Sequence, residues 1–131
     1  MSGGTITTRG VYNGTTTSNN SVSTNDGSAP VITMTVGYSA ENLQSVKDKA
    51  VVTVSGGRVA GNVNSNTGTI QLQDGHFGGT LTKNTGTLTI AGGYFVNDPT
   101  NFIGSGRSVT SGTFTNEDDT TDPTSYKYKV Q

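Results

Sequence analysis

The central part of the chain repeats its pattern of apolar and polar residues every 18 residues, starting at Ala50. The three successive segments are AVVTVSGGRVAGNVNSNT (50–67), GTIQLQDGHFGGTLTKNT (68–85) and GTLTIAGGYFVNDPTNFI (86–103). A short fixed period predicts stacked segments, because each segment buries its apolar residues only against its neighbours. Four columns carry the repeat: Val52/Ile70/Leu88, Val54/Leu72/Ile90, Gly57/Gly75/Gly93 and Val59/Phe77/Phe95.

Within each segment, apolar and polar residues alternate, which is typical of short strands with one buried face. Val52 and Val54 point to the predicted interior, the Gly56–Gly57 pair allows a bend, and Val59 returns to the interior. Strands one period apart are expected to pair in parallel. Asn66 and Asn84 share a corner column, where they either form a hydrogen-bonded ladder between segments or serve as turn formers.

The pattern predicts an all-β chain, folded as a short single-domain parallel β-solenoid with about 18 residues per coil and roughly five to six coils. Right-handed connections are favoured, since parallel crossovers adopt that hand. The domain is expected to span 1–131. Residues 1–49 would form degenerate N-terminal coils with a short insert, 50–103 the regular coils, and 104–131 a C-terminal coil and cap.

The repeat weakens towards both ends, and five segments at these ends carry further predictions. Residues 4–14 resemble a degenerate first coil, and 31–37 alternate as a strand. Residues 39–50 (SAENLQSVKDKA) have apolar residues on one helical face, which predicts a short helix or loop inserted into a coil. Residues 109–114 and 125–131 are predicted to be strands that close the fold.

Composition and charge narrow the classes of function. Only 29% of the 131 residues are hydrophobic, which a narrow stack tolerates because each coil has a small core. The formal charge is -1, and the basic residues are scattered, so no nucleic-acid-binding stripe is expected. There is no cysteine, no apolar run long enough for a membrane span, and no apolar signal-peptide core in the opening MSGGTITTRG. An exported protein would therefore carry this chain as a mature domain or as a piece of something longer.

The string TIAGGYF (89–95) and its echoes QLQDGHF (71–77) and TVSGGRV (53–59) share an I-x-G-G-x-F pattern. This pattern resembles the parallel β-helical repeats of large secreted and cell-surface proteins of anaerobic and gut bacteria. The string GGYFVNDPTNF (92–102) adds to the resemblance, which covers residues 50–116 well. It implies an extracellular or cell-surface location. Members of that group include adhesins, carbohydrate-binding domains and polysaccharide lyases, and fold alone does not choose among them.

The candidate chemistry argues against an enzyme. The repeats contain only Asp74 and Asp98, at different points of the period, so no pair of carboxylates faces a cleft. His76 is the only histidine. An acidic cluster at 117–122 is expected to be a solvated loop, with calcium binding left open. We therefore expect no catalytic residue, no metal site and no cofactor.

The most suggestive surface is an outward column made of Arg58, His76 and Tyr94, one residue per period, with Gln71 across the glycine bend. Tyr94 would offer a ring to the apolar face of a sugar, while Arg58, His76 and Gln71 would hydrogen-bond its hydroxyls. The alternative is an ordinary row of mixed polar residues on the surface. We expect any ligand of this face to be a glycan or polysaccharide.

The sequence thus predicts a non-catalytic extracellular module of a bacterial surface or secreted protein, adhesive or carbohydrate-contacting in function. The alternative is a purely structural unit of a fibre or filament, such as a phage tail fibre or a surface filament. Such a unit would self-associate through its coil ends, because open ends expose unpaired strand edges.

Overall fold

The structure is a computed structural model, and it describes residues 21–24, 31–34, 39–45 and 51–131. Twelve strands and one turn of 3-10 helix, at Thr100–Phe102, lie within these ranges. In chain order the strands are β1 (Ser21–Thr24), β2 (Val31–Met34), β3 (Ser39–Ala40), β4 (Asn42–Ser45), β5 (Val51–Val59), β6 (Val63–Ser65), β7 (Thr69–Phe77), β8 (Leu81–Lys83), β9 (Thr87–Ile90), β10 (Gly93–Phe95), β11 (Val109–Phe114) and β12 (Tyr126–Val130).

The described strands form two sheets that enclose a common core. The larger sheet has the order β11-β12-β10-β7-β5-β2, with β3 also paired to β5 and β9 to β7. The smaller sheet has the order β1-β4-β6-β8. The first two segments of the repeat each contribute a strand to both sheets, since β5 and β7 lie in the larger sheet and β6 and β8 in the smaller, whereas β9 and β10 of the third segment both lie in the larger sheet.

The predicted parallel pairing is confirmed for the repeat itself. Val52 pairs with Ile70, and Ile70 with Leu88, one period apart along the chain. Val63 pairs with Leu81 at the same separation in the smaller sheet. Before residue 51 the pairing is parallel too, but its period is longer, because β2 is displaced from β5 and β4 from β6 by 20 residues. The spacing of 18 residues between paired strands therefore holds within residues 51–95.

The predicted parallel β-solenoid is wrong as a description of this fold. The larger sheet is mixed, because β12 pairs antiparallel with β10 and also antiparallel with β11. Residues 104–131 therefore do not add another coil. The reason lies in residues 96–108, which contain Pro99 and the 3-10 turn and have no strand pattern, so the chain returns across the sheet in the opposite direction. The strand predictions at 109–114 and 125–131 are themselves confirmed.

The short helix or loop predicted at 39–50 is also wrong where it can be compared. Ser39–Ala40 and Asn42–Ser45 are strands, and the rest of that segment lies outside the described residues. Ala40 and Leu43 are buried in the core. Their spacing fits a helical face equally well, and pairing with β5 and β6 decides in favour of strands. The predicted first coil at 4–14 lies outside the described residues, whereas the strand predicted at 31–37 is present as β2.

The predicted apolar columns form most of the core. Phe77 is fully buried and stacks on Phe95, with ring centres 5.0 Å apart, and it pairs with Val59 in the adjacent strand. The inward position of this column is thus confirmed. The other buried apolar residues of the repeat are Val52, Val54, Val63, Ile70, Leu72, Leu88 and Ile90.

Two glycines of the repeat shape the strands next to this aromatic column. Gly75 and Gly93 have φ values of 128° and 111°, a conformation that side chains with a Cβ rarely adopt. A Cβ on either glycine would approach the Phe77 ring to 3.0–3.1 Å. Of the two roles left open for Asn66 and Asn84, the structure shows the hydrogen bond between segments, since the Asn84 amide donates to Asn66 Oδ1 over 2.5 Å.

Candidate functional site: a polar pocket beside His76 and Tyr94

The column predicted from the period is aligned in the structure. Arg58 pairs with His76 between β5 and β7, and Tyr94 pairs with His76 between β10 and β7. The His76 and Tyr94 rings are stacked almost in parallel, with centres 4.7 Å apart. Lys129 of β12 lies opposite Tyr94, and its ammonium is 5.5 Å from the ring centre, within cation–π range. The column therefore extends by one residue that the repeat does not contain.

The solvent exposure expected for this column is wrong for His76, and Arg58 and Tyr94 are half-buried, because the C-terminal segment lies over the column. The Tyr126 ring meets His76 edge-on at 5.1 Å, and Phe114 lies against Tyr94 at 5.5 Å. Only 4% of His76 is exposed. Since Tyr94 is stacked on His76 and covered by Lys129, its ring face is not free to serve as the platform for a sugar ring.

Asp122 fastens this segment to the repeat. Its carboxylate lies 3.2 Å from the Arg58 guanidinium, and its side chain is fully buried. It accepts hydrogen bonds from the Asn116 amide at 3.1 Å, from the backbone N–H of Thr124 at 3.0 Å, and from the Tyr126 hydroxyl. A buried carboxylate is tolerated when it is paired and hydrogen-bonded in this way.

The same contacts control the ionisation of Asp122. Burial alone would raise the pKa of the Asp122 carboxyl, but hydrogen bonds from Tyr126, Thr124 and Asn116 together outweigh it and lower that pKa below 3.8. Burial and the neighbouring Asp122 carboxylate raise the pKa of the Tyr126 phenol well above its usual value. Tyr126 therefore stays protonated and donates to a charged Asp122.

The loop between β11 and β12 divides the predicted acidic cluster into two pairs. Asn116 is buried, and its side-chain oxygen accepts hydrogen bonds from the backbone N–H groups of Asp118 and Asp119, each at 3.1 Å. The Asp119 carboxylate in turn accepts a hydrogen bond from the backbone N–H of Thr121 over 3.0 Å. Asp119 and Asp122 thus serve the loop internally, which leaves the exposed side chains of Glu117 and Asp118 for other contacts.

An open pocket of about 420 Å³ lies where this loop meets the repeat. The end of β7 forms one wall, the glycine corner before β10 the second, and the C-terminal segment the third. Its polar lining consists of Gln73, Asp74, His76, Tyr94, Thr115, Glu117, Asp118, Lys129 and Gln131.

The pocket contains two of the four predicted site residues. His76 and Tyr94 line it, whereas Arg58 is paired with Asp122 and Gln71 lies outside the pocket, exposed, 3.4 Å from the Thr53 hydroxyl. Ligand binding by these four residues stays a prediction. Lys129 and the acidic loop are not predicted as parts of this site, because neither belongs to the repeat that brings the other residues together.

Across 21–24, 31–34, 39–45 and 51–131, no three or more histidine, cysteine, aspartate or glutamate side chains converge as metal ligands would. Among those residues there is likewise no helix with the length and apolar character needed to cross a membrane.

His76 is buried in an acidic environment. Burial lowers the pKa of its imidazole below 6.5, the carboxylates of Asp118, Asp122 and Asp74 act in the opposite direction, and Arg58 adds to the lowering. None of the described residues offers its Nδ1 a hydrogen bond. The ring is therefore neutral at neutral pH and carries an unpaired nitrogen, which is unusual for an atom so buried.

The buried neutral histidine predicts a loss of stability in mild acid. The unfolded chain binds a proton at His76 at a higher pH than the folded chain does, so the free energy of unfolding should fall as the pH drops below 6.5. Urea unfolding of the wild type and of His76→Gln, followed from neutral pH to about pH 5, checks this. The wild type should lose more stability than the variant over that range, and parallel pH profiles would contradict the prediction.

No protein-family model matches the chain, and neither the search of curated proteins nor the search of solved structures found a match.

Proposed function

We propose that the chain is a non-catalytic, carbohydrate-binding module of an extracellular or cell-surface protein of bacteria, and that the pocket beside His76 and Tyr94 holds the glycan. The observation that carries the proposal is the lining of the pocket. It combines exposed carboxylates from Asp74, Glu117 and Asp118 with a Gln73 amide at its rim.

Sugars present many hydroxyl groups, and each hydroxyl needs a hydrogen-bond partner once it leaves water. Carboxylates and amides are strong partners for them. A rigid strand end bearing Asp74 and a loop fastened by Asn116 would hold these groups in fixed positions, which lowers the entropy cost of binding. The binding mode differs from the one expected from the sequence, because hydrogen bonds replace stacking on Tyr94.

The non-catalytic part of the proposal rests on the state of these groups. Asp74, Glu117 and Asp118 are exposed on an open pocket, whereas a general acid needs a desolvated carboxyl whose pKa is raised. The buried Asp122 has a lowered pKa and is paired with Arg58. These features favour recognition over hydrolysis.

The test is a glycan array, followed by calorimetry with the glycans that bind. Asp118→Ala should weaken binding by about tenfold, since it removes hydrogen-bond acceptors from the pocket wall without touching the core. Asp98→Ala is the matched control, because Asp98 is an exposed aspartate outside the pocket. An array with no binding above background, or equal losses in the two variants, would contradict the proposal.

A structural role in a fibre is the second candidate, and an open edge favours it. Among the described strands, β8 pairs only with β6, and β9 pairs with β7 and makes one further bridge, from Ile90 to Ile103. Such edges offer unpaired backbone groups to another chain. Light scattering over a range of concentrations tests this, and a mass that grows with concentration would support the fibre role.

A further inference from the structure

The last strand of the larger sheet has an open edge. Among the described strands, β11 pairs only with β12, so its other edge has no partner strand there. The sequence of β11 is VTSGTF, and its four central side chains are exposed. The strand carries neither a charge nor a proline, the features with which proteins commonly keep an exposed edge from pairing with another chain.

The hydrogen bonds to β12 determine which backbone groups of β11 are free. Ser108 and Gln131 exchange two backbone hydrogen bonds, of 2.9 and 3.1 Å. In an antiparallel pair, residues that bond in this way alternate with residues whose backbone groups point in the opposite direction. The register continues without a shift as far as Ser111. The N–H and C=O groups of Val109 and Ser111 therefore point to the open edge.

A bulge limits this regular edge to the first half of the strand. The register shifts between Ser111 and Phe114, where β11 has one residue more than β12. The regular edge is therefore centred on Thr110, with the free backbone groups of Val109 before it and those of Ser111 after it. Such an edge is self-complementary, because an antiparallel copy presents the same groups in the reverse order.

The charges beside β11 also match an antiparallel copy. Arg107 is exposed just before the strand, and Glu117 and Asp118 are exposed after it. In an antiparallel pair the basic end of each β11 lies towards the acidic end of the other, whereas a parallel pair would bring like charges together. The partner that fits both the hydrogen bonds and the charges is a second copy of this chain.

We infer that two copies of the chain pair antiparallel through β11, about a two-fold axis at Thr110. Val109 of each copy then exchanges two backbone hydrogen bonds with Ser111 of the other, so the contact has four in all. The two larger sheets become one continuous sheet. This inference goes beyond the proposed function and does not depend on it.

Such a dimer places two pockets on one face of the joined sheet. The axis of an antiparallel pair is perpendicular to the sheet, so equivalent groups of both copies lie on the same face. Lys129 and Gln131 of β12 line the pocket, and the two β12 strands lie three strand spacings apart, about 14 Å. A polymer that reached both pockets would gain affinity from the second contact.

Analytical ultracentrifugation over a wide range of concentrations tests the pairing, and amide exchange measured by NMR locates it. The mass should rise from one chain to two and then stay constant. Protection of the Val109 and Ser111 amides should rise with the dimer fraction, whereas the Thr110 amide faces β12 and should be protected at every concentration. A mass that stays at one chain, or that grows beyond two, would overturn the inference.

Thr110→Glu makes the test specific to β11. Within one chain the new carboxylate lies opposite Lys129, which suits the fold, whereas in the dimer two carboxylates lie opposite each other at the axis. Self-association should weaken by roughly fivefold or more. Thr82→Glu, on the exposed edge strand β8, is the matched control and should keep the dimer. Equal losses in the two variants, or a loss in Thr82→Glu alone, would show that the contact does not run through β11.

Discussion

Replacing Asp122 with alanine should lower the free energy of unfolding by about 3–5 kcal/mol. The carboxylate is fully buried, and it bonds Arg58, Asn116, Thr124 and Tyr126. Its removal leaves the partly buried guanidinium without its partner, at the point where the C-terminal segment is fastened to the repeat. Leaving a buried polar or charged group without a partner costs more free energy than the lost contact contributed.

Urea unfolding followed by circular dichroism measures this loss, and two conservative variants divide it. Asp122→Asn keeps hydrogen-bond acceptors but removes the charge opposite Arg58. Tyr126→Phe removes only the hydroxyl that bonds the carboxylate. Both should be less damaging than Asp122→Ala. A loss under about 1 kcal/mol for Asp122→Ala would mean that the contact does not hold the segment in place.

The pH dependence of this contact has a definite sign. Because the pKa of Asp122 is lowered below 3.8 in the folded chain, its stabilising effect is present above that value and disappears as the pH falls through the folded pKa. Protonation of His76 also lowers the stability, and this loss begins at a higher pH, as the pH drops below 6.5. Comparing Asp122→Asn with His76→Gln therefore separates the two contributions.

Phe77→Ala should destabilise the fold to a similar extent, by about 3–5 kcal/mol. Phe77 is fully buried, stacks on Phe95 and pairs with Val59 across the sheet. Truncation leaves a cavity in the middle of the column. The adjacent Gly75 and Gly93 contribute no side-chain atoms that could fill it.

Chemical denaturation of Phe77→Ala and Phe77→Leu measures the effect. Leucine retains most of the buried volume, so its cost should be close to 1 kcal/mol, the range of volume-conserving substitutions. Equal costs for the two variants, or a cost near zero for alanine, would show that the column does not form the core.

How much of the fold the sequence predicts depends on the repeat. Val52, Ile70 and Leu88 lie one period apart and alternate with polar residues, so their parallel pairing and burial follow directly from the pattern. The repeat provides no information beyond Phe95. Pro99 and the 3-10 turn redirect the chain there, and the antiparallel pairing of Lys129 with Tyr94 depends on tertiary contacts that no local pattern records.

The candidate site is likewise only partly predictable from the sequence. The alignment of Arg58, His76 and Tyr94 follows from the period, and it is observed. Their exposure was predicted from alternation alone, which cannot reveal that a segment from another part of the chain covers a face. The acidic residues of the loop are visible in the sequence, but only the folded chain places Glu117 and Asp118 beside His76 in one pocket.

The most direct test of the proposed site is an NMR titration of the isotope-labelled chain with an oligosaccharide selected on the array. The account predicts that backbone amide shifts concentrate at the pocket, on Gln73, Tyr94 and Glu117, with little change at Gln71, which lies outside the pocket. Shifts centred on Gln71 and Thr53, with the pocket unaffected, would contradict it.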